Sequence, residues 1–156
     1  MNTTAQLFAA IGSADNDKIE TLLANEPSLV DAKDQRGFTP LIFATYFGNE
    51  GATRSIIANN ANVNDRDSSG NTALIGVSFK GDLTLAKLLM DAGADVNAQN
   101  NQGTSALSFA AQYNQEGMVD LLLNHQADTH LKDDSGKTAL DHAKEKGFDS
   151  LVNKLA

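Results

Sequence analysis

Gly37-Phe38-Thr39-Pro40-Leu41 returns 33 residues later as Gly70-Asn71-Thr72-Ala73-Leu74, then as Gly103-Thr104-Ser105-Ala106-Leu107 and Gly136-Lys137-Thr138-Ala139-Leu140. A fixed period of this length specifies a row of small stacked units, because each unit is too short to bury its own apolar face and must do so against its neighbours. Outward from these pentapeptides the register holds. Ile56, Leu89, Leu122 and Leu155 stand nineteen residues after the glycines, and Ala61, Ala94 and Ala127 twenty-four after.

The unit from Asp34 to Arg66 shows what each stretch does. Asp34-Gln35-Arg36-Gly37 is turn chemistry. Thr39 is an N-cap, and Pro40 at the first helical position gives up no needed N–H. The pattern predicts a helix to about Phe47 that stops at Gly48, then a second helix over roughly Ala52 to Asn59 with Ile56 and Ile57 inward. Gly81, Asn114 and Gly147 stand where Gly48 does in the later units. Subtracting 33 from Leu41 and Ile56 gives Phe8 and Leu23, so residues 3–33 read as a degenerate first unit with Asp15 in the helix-ending place. Units 34–66, 67–99, 100–132 and 133–156 follow within one domain, 1–156. The first and last serve as caps, and the last ends in a short helix, Asp149 to Leu155, that turns Asn153 and Lys154 outward.

These residues resemble ankyrin repeats. Gly37-Phe38-Thr39-Pro40-Leu41 is similar to the opening of the family's T-P-L-H-x-A signature, and Asp91-Ala92-Gly93-Ala94-Asp95-Val96-Asn97-Ala98 to its exit segment. The resemblance covers residues 3 to 155. It implies an all-α solenoid of stacked antiparallel helix pairs with projecting hairpin loops, and a role in protein binding. The signature histidine, which in the family ties adjacent loops, is replaced by Ile42, Ile75, Ser108 and Asp141, so looser loops are expected. Val77 replaces a tightly packed alanine, and Gly76 sits mid-helix at a cost of about 1 kcal/mol against alanine. Asn64 and Asn97 resemble a site hydroxylated in some animal relatives; the plainer reading is an amide that closes the loop.

Composition narrows the function classes. With 20 acidic against 12 basic residues and a net charge of -8, the chain is a poor match for a nucleic-acid backbone or an anionic membrane. The absence of cysteine removes disulfides, thiolate zinc sites and a cysteine nucleophile. No segment approaches the roughly 18 apolar residues of a membrane span, and Met1 to Ala14 lacks the pattern of a signal peptide, so a cytoplasmic protein is expected.

Catalytic and cofactor patterns are missing. His125, His130 and His142 have no second ligand at metal spacing, so no metal is expected. Asp65-Arg66-Asp67-Ser68-Ser69-Gly70 imitates a calcium loop, but Gly76 stands where the bidentate glutamate is required. No phosphate-binding or dinucleotide fingerprint appears, and no cofactor is expected. Asp133 and Asp134 read as solvated turn residues, and no catalytic residue is assigned.

The aromatics carry the functional reading. Positions 6, 9 and 10 after each glycine share one helix face, which in the family lines the concave groove. There stand Phe43, Tyr46 and Phe47; Gly76, Phe79 and Lys80; Phe109, Gln112 and Tyr113; then His142, Glu145 and Lys146. Phe38 joins the edge, and Arg36, Ser69, Asn71 and Gln102 supply a polar rim. Phe43 and Phe109 also suit a space-filling role, whereas Tyr46, Phe47, Phe79 and Tyr113 are expected to face a partner. Gly76 should leave a notch for an apolar side chain. Arg36, Lys80, Lys137 and Lys146 would favour a partner segment that is acidic or mixed polar. The candidate function is a non-catalytic protein–protein interaction module, expected to be a monomer. The alternatives are a regulatory or inhibitory subunit that self-associates or masks an enzyme, a spacer without a specific partner, and a small carboxylate enzyme.

Overall fold

The structure, a computed structural model, describes residues 2–156. Among these residues ten α-helices follow one another in pairs: α1 Thr3–Gly12 and α2 Asn16–Asn25, α3 Pro40–Tyr46 and α4 Glu50–Ala58, α5 Ala73–Lys80 and α6 Leu83–Asp91, α7 Ala106–Gln112 and α8 Glu116–Asn124, α9 Ala139–Lys146 and α10 Asp149–Leu155. A short 3-10 turn, Pro27–Asp31, follows α2. Among the described residues the only extended pairing is an isolated bridge between Gln99 and Ser105. The architecture is an all-helical solenoid.

The pentapeptides begin the first helix of each later pair. Thr39, Thr72, Ser105 and Thr138 each place a side-chain oxygen on the backbone N–H three residues on, at 3.2, 3.3, 3.2 and 3.2 Å. In α9 the bond is reciprocated: Thr138 N–H donates to the Asp141 carboxylate at 3.0 Å, closing a capping box. Asp141 thus uses the signature histidine's place to fix its own helix end.

The columns of like residues are the core. Leu41, Leu74 and Leu107 are buried under the first helices, and Ile56, Leu89 and Leu122 under the second. Ile57 is only half-buried. Leu140, in the last pair, is half-buried as well. Fully buried small residues, Ala44, Ala110, Ala111 and Ala143, let successive first helices approach closely. Those helices pack on one another more extensively than the second helices do, so the row bends with α3, α5, α7 and α9 on its inner side.

The first unit departs from the expected register. Ala14 (φ 58°), and not Asp15, holds the left-handed position that Gly48 (φ 67°) holds in the next unit. Asp15 is the N-cap of α2, accepting from Lys18 N–H at 3.2 Å, as Asn49 caps α4. Asp15 N–H donates to Ala10 and Asn49 N–H to Ala44, an offset of 34. Leu7, fully buried, is therefore the counterpart of Leu41. The extra residue is taken up in α2, which has 10 residues where α4 has 9.

The loops are tied together without the signature histidine, contrary to the expected looseness. Asn101 N–H donates to Ser69 O and Asp134 N–H to Gln102 O, both at 3.0 Å. Ser68 Oγ donates to Arg36 O at 2.7 Å and Asn101 Nδ2 to Ser68 O at 3.0 Å. At the loop bases Arg66 donates to Gln99 O at 2.6 Å and Gln99 Nε2 to Lys132 O at 3.0 Å. Asn64 and Asn97 accept from the N–H groups of Asp95 and Asp128, at 2.7 and 2.8 Å, so each amide joins its unit to the next. The backbone supplies one partner of nearly every rung, so the ladder depends little on which side chain replaces the histidine.

Candidate protein-binding site

The inner face carries the aromatics. Tyr46, Phe47, Phe79 and Tyr113 are 56, 53, 42 and 51% exposed, four of the five large hydrophobic side chains that face solvent among the described residues. They lie at the C-terminal ends of α3, α5 and α7, positioned by the buried columns on the opposite side of the same helices. The fifth, Leu83, opens α6 and lies against Gly117 of α8.

The rings fall into two clusters. Phe43 packs edge-on against Phe8 (5.1 Å between centroids) and Phe47 (4.8 Å), while Tyr46 lies 5.2 Å from Phe47 and stacks on Phe38 at 6.4 Å. Phe79 meets Tyr113 at 4.4 Å and Phe109 at 6.1 Å. Phe43 is buried and Phe109 half-buried, so both rings support the exposed ones more than they present themselves. Phe8 joins the first cluster from beneath, a role that spacing from the glycines did not reveal.

Between the clusters lies a cleft of about 290 Å³, walled by Phe38 and Tyr46 on one side and Phe79 and Phe109 on the other. Ile42, Thr45, Ala73 and Gly76 lie between the walls; Asp67, Asn71 and Thr72 close the loop end and Lys80 the far end. Gly76 makes this opening. A Cβ built there would meet nothing within 4 Å. Two shallower recesses continue the groove: one holds Ser69, Asn71, Asn101 and Gln102, the other Gln102, Gln112, Asp134 and His142.

Three of the cations along the groove, Arg36, Lys80 and Lys137, already have partners. Arg36 makes a two-pronged contact with Asp34 Oδ2, Nε at 3.0 Å and Nη2 at 2.7 Å, and its guanidinium lies 4.8 Å from the Phe38 ring centre. Lys80 donates to Tyr46 O and sits 4.2 Å over the Tyr46 ring. Lys137 pairs with Glu145 at 2.7 Å. Burial pushes the Asp34 carboxyl upward, but hydrogen bonds from the Arg36 side chain and from the Phe38 and Arg36 amides outweigh it and hold the group below the ordinary range. Burial also raises Asp65, helped by the nearby charge of Asp31.

Asp133 is not a solvated turn residue. Its side chain is only 10% exposed, and its Oδ2 meets His142 Nε2 at 2.7 Å. Burial raises its pKa, and the bonds from His142, Lys137 and Ser135 more than reverse that, leaving it below its usual value. Asp134 is exposed, as expected of a loop tip.

The structure brings Phe38, Tyr46, Asn71, Phe79 and Lys80 to the cleft between the clusters, and it places Arg36, Phe43 and Phe47 in the first aromatic cluster. Tyr113 lies in the second. Ser69, Gln102 and Gln112 lie along the two recesses. Sequence reasoning missed Ile42, Ala73 and Asp67 as lining residues. Asp67 appears in the sequence only within a failed calcium-loop pattern, and its nearness to the groove comes from the way its loop meets α5. Among the described residues no group of His, Cys, Asp and Glu could hold a metal ion, and no helix is long and apolar enough to cross a membrane.

A bent row of helix pairs with an exposed inner face defines a helical-repeat solenoid. A family model for ankyrin repeats (3 copies) matches residues 7–100 and again residues 74–156. The chain therefore belongs to the ankyrin repeat family, whose members are generally non-catalytic protein–protein interaction modules. No curated protein matches it.

Proposed function

We propose that this protein is a non-catalytic, monomeric binding module that holds a segment of another protein along its inner face. An anchor side chain of that segment enters the cleft between Tyr46 and Phe79, and Arg36, Ser69, Asn71, Gln102 and Gln112 form the rim. One observation carries this reading: four exposed rings line up beside a cleft that a helical glycine holds open. Aromatic side chains concentrate binding energy because they cover much area with few rotatable bonds. The use of the carboxylates supports a binding role over catalysis. Asp34, Asp67 and Asp133 each accept two backbone N–H groups of their own loop, as turn-formers do.

The test is affinity capture from native lysate with the wild type beside a variant carrying Tyr46→Ala, Phe47→Ala and Tyr113→Ala. The reading expects a specific band that the variant no longer retains. Equal capture by both proteins would overturn the groove assignment.

A further inference from the structure

Four Asx residues stand 33 apart at the loop tips: Asp34, Asp67, Asn100 and Asp133. In each, Oδ1 accepts the N–H groups two and four residues on, at 2.9 to 3.0 Å. The second side-chain atom differs. Oδ2 of Asp34 receives Arg36, Oδ2 of Asp133 receives His142 at 2.7 Å, and Nδ2 of Asn100 donates to Asn71 Oδ1 at 2.9 Å. Among the described residues nothing donates to Oδ2 of Asp67.

The repeat register explains the vacancy. Ser69 stands where Arg36 stands one unit earlier, and Gly76 stands where His142 stands two units later. Both side chains that satisfy the equivalent carboxylates are missing from this unit; the unit 100–132 lacks them too, with Gln102 and Phe109 in those places, but there Asn100 replaces the carboxylate. The glycine that removes the second partner is the one that opens the cleft, and Asp67 is part of the cleft wall.

We infer that the cleft takes the side chain of a lysine or arginine from an extended basic segment of a partner protein, its methylenes between Phe38 and Phe79 and its cation at Oδ2 of Asp67. The inference rests on the docking reading above. A long basic side chain lays its hydrocarbon stem on apolar surface and keeps its charged head for a polar group. Aromatic walls add attraction for the cation itself. Direction is fixed as well. Lys80 stands at the other end of α5, about 10 Å along the helix, and repels a cation there. Arg36, Lys80 and Lys137 already have partners within the protein, and a chain of net charge -8 draws a basic segment from solution. This reverses the expectation of an acidic partner.

The experiment is amide NMR of the full chain titrated with acetyl-Gly-Leu-X-Leu-Gly-amide, X being lysine, arginine, norleucine or glutamate. Norleucine keeps the lysine stem without the charge. Asp67→Asn preserves the loop, because Asn100 makes the same two Oδ1 bonds with an amide. Gly76→Phe fills the cleft. Lysine and arginine probes should shift the Gly76 and Phe79 resonances and bind about fivefold or more tighter than norleucine, with glutamate weakest. Asp67→Asn should bring lysine down to norleucine, and Gly76→Phe should abolish all binding.

If norleucine matches lysine, or Asp67→Asn keeps the lysine preference, the basic anchor is wrong while the docking reading stands. If no probe moves these resonances at millimolar concentration, both fall. Shifts that arise on concentrating the protein alone would assign the cleft to a second copy of the chain and overturn the inference.

Discussion

Alanine at two glycines of the same unit should have opposite effects. Gly76 lies inside α5 with no positive φ, and an added Cβ meets nothing within 4 Å. Gly76→Ala therefore gains helix propensity, about 1 kcal/mol, without steric cost. For a chain of this length that raises the midpoint of thermal unfolding by about 2–4 °C. Gly70 sits at φ 79°, where its Cβ would come 2.7 Å from the backbone N of Asn101. That N–H is the one bonded to Ser69 O at 3.0 Å in the loop ladder. Gly70→Ala carries the left-handed penalty of about 1–2 kcal/mol and disturbs a rung worth about 1 kcal/mol, so it should destabilise by about 2–3 kcal/mol. Urea unfolding followed by circular dichroism measures both. A lower midpoint for Gly76→Ala would refute the open notch, and a neutral Gly70→Ala would refute the tied loops. Because the glycine at 76 is less stable than alanine, its presence is accounted for by the space it leaves, and Gly76→Ala should weaken partner capture while it strengthens the fold.

Other perturbations separate folding from binding. Leu89→Ala, at a fully buried position of the second-helix column, should cost about 2–5 kcal/mol by urea unfolding. Alanine at Tyr46, Phe79 or Tyr113 should leave the melting midpoint nearly unchanged while capture falls, since each ring is about half exposed. Asn97→Ala removes the bond to Asp128 N–H and should lower stability by about 1 kcal/mol. Asp133 has a folded-state pKa below its unfolded value of 3.8, so its contribution is present at neutral pH and disappears as pH falls through the depressed value. Asp133→Asn should therefore be less stable than wild type near pH 7, and the gap should close in acid, as a series of midpoints against pH would show.

The sequence carried most of the fold, for a physical reason. Side chains at Leu41, Leu74, Leu107 and Ile56, Leu89, Leu122 meet the same environment in every unit, so a stacking rule appears as a column of like residues. The caps break that rule. Spacing from the later glycines points to Asp15 for the helix-ending place that Ala14 holds, because α2 absorbs one extra residue that this spacing does not register. The exposed rings were legible for a similar reason: once a helix's buried side is known, its other side follows from 3.6-residue geometry. Relations between loops were not. The pairing of Asp133 with His142 and the vacancy at Asp67 depend on how a loop tip folds back on its own helix. Short turn-formers such as Asp give no sequence sign of what their second oxygen will meet.

The central claim is that the inner aromatic face, and not the outer helices, receives another protein. Replacing Phe79 with the photoreactive p-benzoylphenylalanine in one sample and Lys87, exposed on α6, in another tests it directly after irradiation in native lysate. The account predicts a discrete cross-linked adduct from position 79 and none from position 87. An adduct from 87 alone would contradict it.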